Sequence, residues 1–84
     1  MIYAYVLRST SDRQLYTGCT RDLRSRLGLH NAGQVSATRD RRPLELIYYE
    51  ACLDEKDAFR REKYLKTTYG KRYLKSRLRC YFTG

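Results

Sequence analysis

One acidic side chain in the second half of the chain interrupts an otherwise apolar helical stripe. Positions 58, 62, 65 and 69 share one helical face and hold Ala58, Glu62, Leu65 and Tyr69, with Phe59 beside them. A carboxylate among inward-facing residues is costly unless a cation, a metal ion or strong hydrogen bonds compensate its charge. Pairing with an arginine of the sheet, or exposure at the edge of the stripe, would also explain Glu62, so the helix alone leaves its role open.

Two further polar residues border the apolar stripe of an earlier helix. Arg26 and His30 are four positions apart and therefore lie on one helical face, next to Leu23 and Leu27. An arginine that extends to solvent and a histidine at a helix C-terminus would explain this pair without any chemistry.

Tyrosine hydroxyl groups join the carboxylate, the arginine and the histidine as side chains that could do chemistry. Tyr3 and Tyr5 share one face of the first predicted strand, and Tyr16 lies on its predicted neighbour. A carboxylate can hold a divalent cation through water, an arginine can neutralise charge on phosphorus, and a phenol or imidazole can move protons. The combination is typical of phosphoryl transfer. Four other tyrosines are expected to be ordinary core aromatics, namely Tyr48, Tyr49, Tyr64 and Tyr73.

The charge of the chain predicts a polyanionic partner. Lys and Arg total 18 against 9 Asp and Glu, which gives a net charge of +9. The chain has no apolar run of about 18 residues and no signal-peptide pattern, so we expect nucleic acid rather than membrane, and a cytoplasmic location. Three widely spaced cysteines support neither a disulfide framework nor a zinc ribbon, and we expect reduced, mostly buried thiols.

Basic residues other than Arg26 and His30 are the candidates for phosphate contacts. They are Arg39, Arg41, Arg42, Arg60, Arg61, Lys63, Lys66, Lys71 and Arg72. Phosphate contacts give affinity and salt dependence without reading base sequence, so the expected preference is for a DNA shape such as a branch, nick or flap. Structured RNA is an alternative substrate, and a solvated helix face is the alternative reading of these charges.

The elements that position these residues follow from hydrophobic periodicity. The 84 residues suffice for one domain, 1–84. Strands are predicted at 2–8, 15–19 and 44–51, and a basic loop at 34–42. Helices are predicted at 21–30 with Thr20 as its cap, at 55–67, and after Gly70. The predicted fold is α+β, a three-stranded antiparallel sheet flanked by helices in the order β-β-α-β-α-α.

These spaced residues resemble the motifs of the GIY-YIG nucleases over nearly the whole chain. The matching segments are Tyr3-Ala4-Tyr5, Tyr16-Thr17-Gly18, the Arg of Arg26-Leu27 ten positions later, and the Glu of Arg60-Arg61-Glu62. The chain is similar to the catalytic N-terminal domain of the excinuclease C subunit and to short bacterial relatives of structure-specific junction endonucleases. It departs from the pattern at Tyr3, where the first motif has Gly, and at Thr17, where the second has Ile.

The resemblance implies a role for each matching residue. Tyr5 and Tyr16 correspond to the two motif tyrosines, Arg26 to the catalytic arginine, Glu62 to the metal-binding glutamate, and His30 to a position that holds Tyr or His. It implies a DNA endonuclease with one Mg²⁺ or Mn²⁺ on Glu62, linked to DNA repair or recombination. Either Tyr16 or His30 would be the general base. The main alternative is a basic nucleic-acid-binding module without catalysis, and a third is an interaction subunit that acts only with a protein partner.

Overall fold

A computed structural model describes residues 1–84 and shows an antiparallel sheet with helices on both faces. The strands are β1 (Ile2–Ser9), β2 (Leu15–Thr20) and β3 (Leu44–Cys52), in the order β2-β1-β3. The helices are α1 (Leu23–Asn31), α2 (Glu55–Leu65), α3 (Thr68–Arg77) and α4 (Arg79–Thr83), and a 3₁₀ turn spans Arg39–Arg41. The predicted α+β class and three-stranded antiparallel sheet are confirmed.

Capping residues explain where the helix predictions were wrong. Helix α1 begins two residues later than predicted, because Asp22 rather than Thr20 accepts the hydrogen bond from Ser25 N, at 3.1 Å. The predicted second helix ends early at Leu65, and α3 begins before Gly70 because the Thr67 hydroxyl caps it. A break at Leu78 separates α4 from α3.

Strand β1 is the centre of the core and contributes a different set of side chains to each face. On one face Tyr5, Leu7 and Leu44 are buried and pack against Leu23 and Leu27 of α1. On the other face Val6 packs with Leu65 of α2 and Leu74 of α3. The strict alternation of β1 therefore separates an α1 face from an α2–α3 face.

Several residues that were predicted to be inward are at the surface. Tyr69 is 70% exposed and Phe59 51% exposed, because α2 ends before position 69 and only Ala58 and Leu65 of the stripe reach the sheet. The expectation of core burial is also wrong for Tyr49 and Tyr64. All three cysteines are free, but the expectation of mostly buried thiols is wrong, because Cys19 and Cys52 are partly exposed and Cys80 is exposed. None of the helices has the length and hydrophobicity needed to span a bilayer.

Candidate active site

The α1 face of the sheet holds a buried chain of three hydrogen-bonding side chains. The Tyr5 hydroxyl lies 2.9 Å from His30 Nε2, and Thr38 Oγ1 lies 2.7 Å from His30 Nδ1. His30 and Thr38 have no exposed surface, and Tyr5 is 2% exposed. Burial, and then the charge of Arg26, lowers the pKa of His30, while burial raises the pKa of Tyr5. The imidazole is therefore neutral at pH 7, with both nitrogens engaged.

Arg26 lies beside the two motif tyrosines and is incompletely satisfied. The hydroxyl of Tyr5, and secondarily that of Tyr16, raises the pKa of Arg26. Its Nε is nevertheless buried without any hydrogen-bond partner in the protein. Buried N–H donors are almost always paired, so this one is available to an anionic oxygen that reaches the guanidinium.

Glycine at position 18 allows the Tyr5 ring to occupy this place. Gly18 lies opposite Tyr5 in the β1–β2 pairing. A Cβ atom on Gly18 would lie 2.6 Å from the Tyr5 hydroxyl oxygen and 2.7 Å from its Cζ atom, and both belong to a ring held by His30. The glycine of the second motif is therefore needed for space, because any larger residue would displace the phenol.

Tyr16 completes an aromatic group with Tyr5 and His30. The ring centroids of Tyr16 and His30 are 5.1 Å apart, and those of Tyr16 and Tyr5 are 6.5 Å apart. Unlike Tyr5 and His30, Tyr16 is only partly buried. It is therefore the aromatic member of the group that water and substrate can reach.

Glu62 is sheltered at the edge of this site and does not point into bulk solvent. Its side chain is 23% exposed and pairs with Lys66 Nζ at 3.0 Å. The negative charge of Glu62 helps to raise the pKa of Tyr5, although burial is the main cause. Burial raises the pKa of Cys19 to about 12, with a further contribution from Glu62, so the neighbouring thiol stays protonated. Glu62 is therefore neither buried in the core, as its place in the inward stripe predicted, nor fully solvated.

The donor chemistry of Glu62 fits a divalent cation of the Mg²⁺ type. No group of three or more His, Cys, Asp and Glu side chains lies close enough to form an all-protein cage. Mg²⁺ is held by one or two carboxylates, with water and substrate phosphate completing its shell. The exposed Lys66 ammonium can leave the carboxylate when such an ion binds, because an exposed i,i+4 ion pair is weak.

The predicted phosphate-binding residues divide into paired and unpaired groups. Arg61 Nε donates to both carboxylate oxygens of Glu50, at 2.8 and 3.0 Å, and Arg41 Nε donates to Asp12 at 2.8 Å. Arg42 donates to the carbonyl of Arg39, and these two line an open cleft of about 630 Å³. The remaining predicted residues, apart from the paired Lys66, are exposed: Arg60, Lys63, Lys71 and Arg72.

Two residues at the site were not identified from the sequence. Thr38 orients the imidazole, but it lies in a polar loop where nothing distinguishes it from its neighbours. Cys19 lies against α2, where its thiol donates to the Ala58 carbonyl at 3.4 Å.

Asn31, the one asparagine of the chain, exchanges two hydrogen bonds with the backbone of Leu44 and so joins α1 to β3.

Comparison with known proteins places this site in a family. Residues 1–78 match the model of the GIY-YIG catalytic domain. A UPF0213 protein of Staphylococcus haemolyticus is 38% identical over 74 residues, which cover 87% of this chain and 89% of that protein. A UPF0213 protein of Bacillus pumilus is 44% identical over 66 residues, or 77% of this chain and 66% of that protein.

A solved structure gives the same result. The solution NMR structure of a UPF0213 protein from Bacillus halodurans matches with a TM-score of 0.56 and 32% identity, over 90% of this chain and 84% of that one. The matched fold and the family model agree with the resemblance seen in the sequence. The chain belongs to the GIY-YIG nuclease family.

Proposed function

We propose that the protein is a divalent-metal-dependent endonuclease that hydrolyses DNA phosphodiester bonds and selects its substrate by shape. The observation that carries the proposal is Arg26, a guanidinium near both motif tyrosines whose buried Nε has no partner in the protein. A phosphate oxygen supplies the charge and the acceptor that this donor lacks. The planar guanidinium of Arg26 can bind a non-bridging oxygen of the phosphate bidentately as negative charge develops on phosphorus.

In this proposal Tyr16 is the general base. It would accept the proton of the attacking water beside the Arg26 guanidinium. A bond forms between the water oxygen and phosphorus as the bond to the 3′ oxygen breaks, and the leaving oxygen takes up a proton from solvent. The partial exposure of Tyr16 supports this role over His30, whose nitrogens are both engaged and have no exposed surface.

Tyr5 and His30 serve in this scheme to fix the proton arrangement around Arg26. A guanidinium only donates, so the Tyr5 oxygen faces it with a lone pair while the Tyr5 proton goes to His30 Nε2. Nδ1–H then donates to Thr38 Oγ1. His30 and Tyr5 are therefore proposed as positioning residues: His30 holds the Tyr5 hydroxyl, and Tyr5 holds Arg26 near Tyr16.

Glu62 would hold the metal ion, Mg²⁺ or Mn²⁺. A bound ion would supply positive charge to the scissile phosphate and to the departing oxygen. The carboxylate has the hard oxygen donors that such ions prefer, and its negative charge contributes to the raised pKa of Tyr5, which supports a location near the arginine site. The family relationship and the net charge of +9 support a nucleic-acid substrate.

A cleavage panel tests the proposal. Linear, nicked, flapped and branched DNA, together with structured RNA, are incubated with Mg²⁺, Mn²⁺ or chelator. Wild type is compared with Glu62→Gln and with Glu55→Gln, which removes the same charge from an exposed position on the same helix. We expect metal-dependent cleavage of branched or flapped DNA that is lost in Glu62→Gln, with DNA affinity preserved, and retained in Glu55→Gln.

Other results of this panel would reject the proposal. Equal cleavage by wild type and Glu62→Gln would assign the activity to another site or to a contaminant. Tight binding without cleavage under every metal condition would favour the non-catalytic binding module, whose Glu62 serves only as the partner of Lys66. A role in DNA repair or recombination, and a cytoplasmic location, are further parts of the proposal.

A further inference from the structure

A strongly cationic cleft lies next to the candidate active site, between the β1–β2 turn and helices α3 and α4. It has a volume of about 350 Å³ and is lined by Arg8, Arg13, Gln14, Leu15, Lys71, Leu74, Lys75 and Phe82. Four of these eight residues are cations and none is acidic. The lining therefore carries uncompensated positive charge, which matches a polyanion.

This cleft borders a second one that extends along β2 to Tyr16. The second cleft, of about 290 Å³, is lined by Tyr16 and Lys66 and shares Leu15 and Lys71 with the first. Together the two clefts form one groove along α3, here called the α3 groove, which runs from Tyr16 to Phe82. Leu15 packs on the α2–α3 face and Tyr16 on the α1 face, so a strand that lies in the groove would pass around the edge strand β2 to reach the proposed base.

The α3 groove also has apolar lining, which distinguishes between a single strand and a duplex. Its hydrophobic residues beside the cations are Leu15, the almost fully buried Leu74, and Phe82. The Arg8 guanidinium lies over the Phe82 ring, 5.5 Å from its centroid, and so restrains it. A duplex presents its phosphates outside and keeps its base faces stacked, whereas a single strand offers base faces that can pack on an aromatic floor.

One cation of the groove is held in an unfavourable backbone conformation. Arg13 has φ 63°, and its N–H donates to the Ser9 carbonyl at 2.9 Å to close the β1–β2 turn. A non-glycine residue in the left-handed region costs about 1–2 kcal/mol, which glycine would not incur. A strained residue that lines a binding cleft points to a function for its side chain.

We propose that the α3 groove binds a single-stranded arm of the nucleic-acid substrate. Arg13, Lys71 and Lys75 contact its phosphates, and one base packs against Phe82. That the strand leads to Tyr16 rests on the proposed nuclease function. Binding in the groove itself is measured without cleavage. It adds Arg8, Arg13 and Lys75 to the binding residues, and a flap or splayed branch is the substrate that supplies such an arm.

Equilibrium binding in chelator tests the groove. The probes are a fluorescently labelled oligothymidylate and a duplex of equal length, each titrated over a series of salt concentrations. The variant Arg13→Gly/Lys75→Gln is compared with Arg24→Gln/Lys56→Gln, which loses the same charge from exposed positions on α1 and α2. Phe82→Leu removes the ring and keeps apolar bulk.

The expected result is specific to the groove and to single strands. The groove variant should lose about tenfold or more in oligothymidylate affinity, and its log–log salt slope should fall by about 0.7 for each lost phosphate contact. Phe82→Leu should weaken oligothymidylate binding about fivefold, and the control variant should keep the wild-type slope. Arg13→Gly alone should melt at or above the wild-type temperature, which shows that the loss of binding is not a loss of folding.

Two outcomes would overturn the proposal: equal losses in the groove and control variants, or an equal loss for the duplex probe. Flapped-DNA cleavage is measured in parallel. Cleavage by wild type, together with unchanged oligothymidylate binding in the groove variants, would reject binding in the α3 groove and keep the nuclease function. Absence of cleavage with the expected loss of single-strand binding would reject the nuclease function and keep the groove.

Discussion

Each face of the sheet has an arginine among tyrosines, and the two arginines differ in how they are satisfied. On the α2–α3 face Arg61 donates to both Glu50 oxygens and lies over the rings of Tyr64 and Tyr73, 4.7 and 4.8 Å from their centroids. On the α1 face Arg26 has no carboxylate partner and a buried, unpaired Nε. Compensation within the fold indicates a structural arginine, and an unmet donor indicates one that awaits a ligand.

Tyrosine hydroxyls show the same difference. The Tyr48 hydroxyl donates to Glu50 at 2.8 Å and lies 2.7 Å from that of Tyr73, so this network closes on itself around one carboxylate. The network of Tyr5 and His30 ends beside Arg26 and the partly exposed Tyr16. A charge of +9 does not by itself distinguish binding arginines from structural ones, but the partners of each arginine do.

The largest expected effect comes from exchanging the unpaired arginine. Arg26→Lys keeps the charge and loses the planar fork, so single-turnover cleavage should slow about 100-fold or more, comparable to the loss of one transition-state donor. The melting temperature should change little, because the lost Nε has no partner in the fold. A melting temperature that falls together with activity would make Arg26 a structural residue like Arg61.

Glu50→Gln on the opposite face should give the reverse pattern. The substitution leaves Arg61 half-buried without its counter-charge, and we expect about 1–2 kcal/mol lower free energy of unfolding in urea titrations. Cleavage per folded molecule should remain near wild type. Lost cleavage at full stability would show that the two faces do not have separate roles.

The buried imidazole predicts a pH dependence of stability. The folded-state pKa of His30 is lowered, chiefly by burial, so protonation favours the unfolded chain. Stability should therefore be complete above the unfolded-state pKa of about 6.5 and fall as pH drops below it, by at most about 1.4 kcal/mol per pH unit. The chain has a single histidine, so His30→Gln should remove this dependence in melts between neutral pH and the onset of carboxylate titration. If stability falls equally with pH in wild type and in His30→Gln, this prediction is wrong.

The smallest effect concerns the partner of the proposed metal ligand. Lys66→Gln breaks a partly exposed i,i+4 ion pair, so the free energy of unfolding should change by only about 0.3–0.5 kcal/mol. The Mn²⁺ concentration for half-maximal cleavage should fall, because the carboxylate no longer has an internal cation. An unchanged metal requirement would place the ion away from Glu62. Lys63→Gln, exposed on the same helix, is the matched control.

Local signals in the sequence predicted most of the fold. The alternating residues of β1 predicted a strand at 2–8, and the structure shows it with Tyr5 and Leu7 on one face and Val6 on the other. Helix limits were less well predicted, since Asp22 and Thr20 are both good caps and the local geometry of the chain selects between them. The exposure of Tyr69 followed from a helix break that the apolar spacing did not reveal.

What the sequence by itself determined is the chemistry available: a basic chain with two tyrosine motifs, an arginine, a histidine and an inward glutamate at family spacing. Only the tertiary structure decided which of these groups remain free to act. It gave Arg61 a carboxylate and left Arg26 Nε without one, and it buried His30 behind Tyr5. The physical reason is that pairing and desolvation depend on contacts between distant segments, which residue type and spacing do not specify.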